Sequence, residues 1–154
     1  SRPIYRHGHV FVFSGMGSMS AIRPGGNGNV DDSHITWSRR KVVPKKSSPL
    51  LLGDFLYMVS DEGIASCSDP LTGEVIWAER LKIKGQCASS PIHASGRIYS
   101  FSSGGDCLVF KAQREGLEIL AHNHLPDGCM ASPAVIGDSL LVRTKESLYR
   151  FEKP

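Results

Sequence analysis

The chain has 154 residues, 40% of them hydrophobic and 21% charged, with 16 Gly and 9 Pro. That is enough chain to bury a core as one domain, and the wrong composition for a disordered or collagen-like chain. Its longest unbroken apolar run, Phe55 to Val59, is far short of the roughly 20 residues a membrane-spanning helix needs, and a formal charge of +3 does not by itself mark a nucleic-acid binder, whose affinity grows with the phosphates it neutralises.

The chain opens at Ser1 with no basic stretch leading into an apolar one, so any leader is expected to have been removed or to precede this residue. Organisation shows first in the cysteines. Cys87 and Cys129 lie 42 residues apart in similar settings, Gln86-Cys87-Ala88-Ser89-Ser90-Pro91 and Gly128-Cys129-Met130-Ala131-Ser132-Pro133, which is the signature of an internal repeat. Prolines 3, 49, 91 and 133 give it an origin, and four copies then align over eighteen residues.

Each copy predicts the same succession of elements. A first strand begins at the Ser/Arg-Pro. After a short turn, a second strand carries Val10, Leu56, Ile98 and Leu140 at one position and Phe11, Tyr57, Tyr99 and Leu141 at the next, so it is apolar on both faces and buried on both sides. A small-residue turn follows, from Ser14, Ser60, Ser102 and Thr144 to Gly17, Gly63, Gly105 and Ser147. The third strand then places Met19, Ala65, Cys107 and Tyr149, and next Ala21, Cys67, Val109 and Phe151, on one face. A fourth strand ends at Trp77 and at the aligned Ile119, and Trp37 joins them if residues 25–30 form a six-residue insertion. Asp54 and Asp138 share a position in the first tight turn.

A unit of about 42 residues with four short strands matches the blade of a β-propeller. Period-two patterning with Gly and Pro at the turns excludes a helical solenoid, and a β-sandwich gives no reason for so regular a repeat. The predicted fold is all-β: one domain over 1–154, with repeats at about 1–46, 47–88, 89–130 and 131–154, the last lacking its outer strand.

The run Asp69-Pro70-Leu71-Thr72-Gly73-Glu74-Val75-Ile76-Trp77 resembles the Asp-x-x-Thr-Gly-x-x-x-Trp signature of quinoprotein-type (PQQ-like) β-propeller repeats, found in pyrroloquinoline-quinone dehydrogenases and in the outer-membrane assembly lipoprotein. The likeness covers essentially the whole chain and fades over Lys111 to Leu120. Asp and Thr can bond the turn backbone, Gly supplies a positive φ, and Trp packs between blades. The stretches from Arg23 to Trp37 and from Arg143 to Arg150 resemble the C-terminal half of bacterial PQQ-binding-like β-propeller repeat proteins. The resemblance implies an exported or periplasmic protein and rings of seven or eight blades. Four repeats then form a small ring, half of a ring completed by a second copy through the unclosed blade edge, or a piece of a larger one. A C-terminal fragment or domain, closing alone or with a second copy, is favoured.

The resemblance also brings in the cofactor. A quinone dehydrogenase of this family has a vicinal Cys-Cys disulfide, a Trp platform and a metal site beside a carboxylate base, and no adjacent Cys pair is present here. No catalytic residue and no metal site is assigned, and PQQ remains an implication of resemblance alone. The expected role is a non-catalytic interaction or ligand-binding module, with a quinoprotein-like cofactor domain as the alternative.

Several residues stand out individually. Gln86, Cys87 and Cys129 precede the innermost strands and are expected near one channel mouth, with free thiols, whereas Cys67 and Cys107 belong to the core. Arg143 takes a position held elsewhere by Phe13, Val59 and Phe101, so its guanidinium needs acceptors across a blade interface, a channel or a ligand. Arg39, Arg40, Lys41, Lys45 and Lys46 form a basic edge, either solvated or facing a lipid headgroup, acidic polysaccharide or acidic protein. Nucleic acid is disfavoured because no aromatics interleave with these cations. Protein or carbohydrate partners fit the module reading. His122 and His124 share a strand face, a spacing some zinc sites use, without an evident third ligand.

Overall fold

A computed structural model describes residues 1–152 as four antiparallel sheets set one after another along the chain. The first holds β1 (Ile4–Arg6), β2 (His9–Ser14), β3 (Ser18–Ile22) and β4 (Ile35–Arg39), with the four-residue helix α1 (Asp31–His34) in the connection before β4. The second holds β5 (Leu50–Leu52), β6 (Phe55–Val59), β7 (Ile64–Ser68) and β8 (Val75–Arg80). The third holds β9 (Ile92–Ala94), β10 (Arg97–Phe101), β11 (Asp106–Lys111) and β12 (Ile119–His124). The last is three-stranded, with β13 (Ala134–Ile136), β14 (Ser139–Arg143) and β15 (Leu148–Glu152). These are the four blades of a propeller, and Lys153 and Pro154, placed by the sequence at the end of the last blade, lie outside the described residues.

The blades pack face to face, which is why their second strands are apolar on both sides. Phe11, Met19 and Ala21 of blade 1 meet Leu56 and Met58 of blade 2. Tyr57, Val59, Ala65 and Cys67 turn the other way, onto Ile98, Leu108 and Phe110 of blade 3. Phe101, Cys107 and Val109 then meet Val142 of blade 4. Among the described residues no core cluster, hydrogen bond or ion pair joins blade 4 back to blade 1.

The recurrent Ser-Pro has a specific job. Proline has no N–H, so the residue before it carries the donor at the start of each innermost strand. The amide of Arg2 donates to Ser48 Oγ (2.9 Å), that of Ser48 to Ser90 Oγ (2.9 Å), and that of Ser90 to Ser132 Oγ (3.0 Å). One serine per blade thus ties each blade to the next.

The Asp-x-x-Thr-Gly-x-x-x-Trp segment acts as its residue types dictate. Asp69 Oδ1 accepts from the amides of Leu71 (2.7 Å) and Thr72 (3.2 Å), Thr72 Oγ1 accepts from Glu74 N–H, and Gly73 sits at φ 76°. Trp37 of blade 1 covers that glycine and donates its Nε1–H to Pro70 O (3.0 Å). Trp77 repeats the contact one blade on, donating to Gln113 O (3.2 Å). The insertion in blade 1 is confirmed by register: sixteen positions separate Ala21 from its partner Trp37, against ten between Cys67 and Trp77.

Two expected correspondences are corrected. The cross-strand partner of Val109, at the place of Trp37 and Trp77, is Ala121 and not Ile119. In blade 4 the turn between β14 and β15 closes from Thr144 N–H to Ser147 O, while in blade 2 it closes from Ser60 N–H to Ile64 O, so blade 4 is one residue shorter. Tyr149 therefore pairs with Val142 and Phe151 with Leu140, facing blade 3, while Leu148 and Arg150 take the places aligned with Ala65 and Cys67. The absent glycine at Ser147 is the local sign of this deletion.

Candidate functional site

Among the described residues three blades carry a fourth strand and the last has three, ending on β15. Beside it a cleft of about 820 Å³ opens between blades 3 and 4. Its apolar wall is Tyr99, Phe101, Val109, Leu140 and Phe151, and its polar rim includes His93, Arg97, His124, Asp138 and Glu152. The small Ala121 contributes to the opening, because a tryptophan occupies the equivalent place in blades 1 and 2. Tyr149 and Phe151 stack along β15 with ring centroids 5.8 Å apart.

The other face of blade 4 meets no further blade among the described residues. Alternation places Leu141, Arg143, Leu148 and Arg150 on it, opposite Val142 and Leu140, which point into blade 3. Leu148 is 70% exposed. Arg150 ion-pairs with Glu152, and its Nε donates to Ser139 Oγ (3.2 Å).

Arg143 is exposed on this face, not held in an interface as its neighbours in the repeat are, and its guanidinium has no acceptor among the described residues. Cys87 and Cys129 are both buried, and their amides donate to Asp61 O and Ser102 O of the preceding blades. Cys129 donates its S–H to Ala131 O (3.2 Å) and Arg143 O (3.3 Å). All four cysteines are free thiols. Cys67 and Cys107 sit in the core clusters. Gln86 is exposed and accepts from Lys46 Nζ (2.9 Å).

The basic edge divides on inspection. Arg39 leaves it, since its guanidinium reaches into blade 2 and donates to Ser68 Oγ (3.0 Å) and Gly73 O (2.9 Å). Its Nε is buried without a partner among the described residues, and burial lowers its pKa from the usual arginine value. Lys45 and Lys46 lie 3.9 Å from Glu62 and 3.8 Å from Asp61. Of these five, only Arg40 and Lys41 are exposed without a carboxylate within ion-pair distance among the described residues.

One polar cluster escaped the sequence. Asp106 is nearly buried and accepts Lys84 N–H at 2.5 Å, with His122 Nε2 at 3.1 Å and His124 Nδ1 at 3.5 Å. Burial alone raises its pKa, but these donors outweigh it and the carboxyl titrates below its ordinary value. Both histidines are thus turned onto a carboxylate that fastens the connection between blades 2 and 3, and no group of three or more His, Cys, Asp or Glu side chains is placed to hold a metal ion among the described residues. The equal spacing of the two histidines was visible, but their partner lies sixteen and eighteen positions away across a strand pair.

The quinone seat implied by the fold family does not fit these residues. There is no adjacent cysteine pair, and Trp37 and Trp77 are both committed to packing and hydrogen bonding between blades. Among the described residues no side-chain set resembling that site is assembled.

A family model described as outer membrane protein assembly factor BamB matches residues 1–79. The outer membrane protein assembly factor BamB of Shewanella oneidensis is 28% identical over 109 residues, covering 68% of this chain and 25% of that protein. The chain therefore spans about a quarter of that curated relative. Among solved structures, BamB from Moraxella catarrhalis superimposes with a TM-score of 0.75 over 97% of this chain and 44% of that one, at 14% identity. A europium-containing methanol dehydrogenase matches with a TM-score of 0.59 over 81% of this chain and 25% of that one, at 13% identity. At such identities the structural likenesses show the fold.

Proposed function

The chain belongs to the outer membrane protein assembly factor BamB family, and from that premise we propose that it is a non-catalytic, protein-binding propeller module working on the periplasmic side of outer-membrane protein assembly. The single observation behind this reading is the match of residues 1–79 to that family model. It is supported by three blade interfaces that bury aromatic and aliphatic side chains into a stacked scaffold, and by Trp37 and Trp77, both committed to contacts between blades and so not free to seat a quinone. The repeats act as one unit, part of a larger ring.

The test is a reconstituted assembly reaction in lipid vesicles, with an outer-membrane β-barrel protein as substrate and the purified chain titrated in. The expected result is a concentration-dependent rise in folded barrel. An unchanged yield, or reduction of a dye by the chain loaded with pyrroloquinoline quinone and calcium in the presence of an alcohol, overturns the reading.

A further inference from the structure

We propose that the basic end of the blade stack, built by the connections 40–49 and 81–91, docks on an anionic lipid surface; this goes beyond the protein-binding reading and stands on separate observations. Topology supplies the first. With four antiparallel strands in a blade, the turn between its second and third strands and the connection to the next blade lie at the same end. Lys45 N–H donates to Asp61 Oδ1 (2.8 Å), Leu81 N–H to Gly63 O (2.8 Å), Cys87 N–H to Asp61 O (3.0 Å) and Ser103 N–H to Gln86 O (2.9 Å). Connections and turns are thereby pinned into one platform. Blades 1 and 2 flank the first connection and blades 2 and 3 the second, so a ring continued from either outer blade runs beside this platform and not over it.

Charge is divided between the two ends of the stack. The platform segments, residues 40–49, 60–63, 81–91 and 102–105, hold six Lys/Arg against Asp61 and Glu62. At the opposite end of the same blades, residues 23–34, 53–54, 69–74, 95–96 and 112–118 hold seven Asp/Glu against Arg23 and Arg114. Such a separation presents the basic end to a negative surface and turns the acidic end away. All six platform cations are exposed. Lys45 and Lys46 stand 3.9 and 3.8 Å from Glu62 and Asp61, while Arg40, Lys41, Lys82 and Lys84 have no carboxylate within ion-pair distance among the described residues. Asp106 shares a shallow cleft with Lys82 and Lys84, but its oxygens are turned onto Lys84 N–H and the two histidines.

Residue types select the occupant. Five of the six cations are Lys, a residue depleted from protein interfaces, whose cores take aromatic side chains, Met and Arg. None of the exposed large hydrophobic side chains falls in the platform segments, so a protein partner finds no apolar anchor there. Compact, strongly hydrated ammonium groups on flexible stems suit phosphate headgroups spread over a plane, where each cation adds to binding without a shaped pocket.

The test is co-sedimentation of the chain with sucrose-loaded vesicles. Partitioning onto vesicles that are about one-third phosphatidylglycerol is expected to exceed that onto pure phosphatidylcholine about tenfold, and to vanish at about 0.5 M salt. Lys82→Glu combined with Glu115→Lys, both at exposed positions, keeps the net charge and moves a cation from the platform to the opposite end. This pair should still lose about fivefold in partitioning. Equal partitioning of the wild type onto neutral and anionic vesicles, or undiminished partitioning of the charge-preserving variant, overturns the proposal. So does a peptide of about ten glutamates that displaces the chain from the vesicles at a lower concentration of charge than the lipid supplies, the behaviour of a face built for an acidic protein.

Discussion

The amide of Ser48 donates to the hydroxyl of Ser90 across a blade boundary, 2.9 Å away, and the amide of Ser90 does the same to Ser132. Ser90 is therefore both acceptor and donor in a ladder that follows the innermost strands. Replacing it with alanine keeps its own donation and strands the amide of Ser48. A net loss of about 1 kcal/mol is expected, measured as a lower urea midpoint for Ser90→Ala. Ser90→Thr should retain most of the stability, because the hydroxyl is kept.

Gly73 is required twice. Its φ of 76° is a left-handed conformation that side chains resist, and a Cβ built there lies 2.6 Å from the Trp37 ring. Left-handed strain and overpacking together put the cost of Gly73→Ala at about 2 to 4 kcal/mol. Trp37→Leu should relieve part of that cost, so a double-mutant cycle on thermal or urea unfolding checks it; additive losses would contradict the packing explanation.

How far the sequence carried these conclusions depends on the range of the interactions. Blade order and the position of Trp77 were legible because the same pattern returns about 42 residues on, and the turn around Asp69 because its bonds span only two or three residues. Blade 4 misled because Thr144 to Ser147 is one residue shorter than the other turns, and a single deletion exchanges the two faces of β15. Phe151 consequently lines the cleft with Tyr149 stacked beside it, and Arg150 joins Arg143 on the other face. Arg39 looked like one of five equivalent cations, but side-chain reach into the next blade, which depends on tertiary packing, separates it from Arg40 and Lys41. The Asp106 cluster combines three elements and was invisible for the same reason.

The cysteines should be inert in the folded chain. Burial pushes the thiols of Cys67 and Cys87 up to about 11 and that of Cys107 to about 12, so the reactive thiolate is scarce near neutral pH. At pH 8 a thiol-specific reagent should label fewer than one cysteine per chain within minutes, and all four once urea unfolds it. Rapid native labelling of Cys87 would show that the boundary between blades 2 and 3 opens readily.

Asp106 should make the chain sensitive to acid. Its carboxyl is nearly buried against Lys84 N–H, His122 and His124, and it titrates below its ordinary value in the folded chain. For a group whose folded pKa is depressed, the stabilisation is fully present above the unfolded value, about 3.9 for aspartate, and disappears as pH falls through the folded value. Asp106→Asn keeps the size of the side chain and removes the charge, so a loss of about 1 to 3 kcal/mol is expected at pH 6. The gap between wild type and variant should stay constant from pH 6 down to about 5 as far as this carboxyl contributes, then narrow below about 4. Urea unfolding of both proteins at a series of pH values measures it. A gap that widened on acidification would mean that the carboxylate is not the stabilising form, and the connection between blades 2 and 3 would then be fastened by something other than this charge.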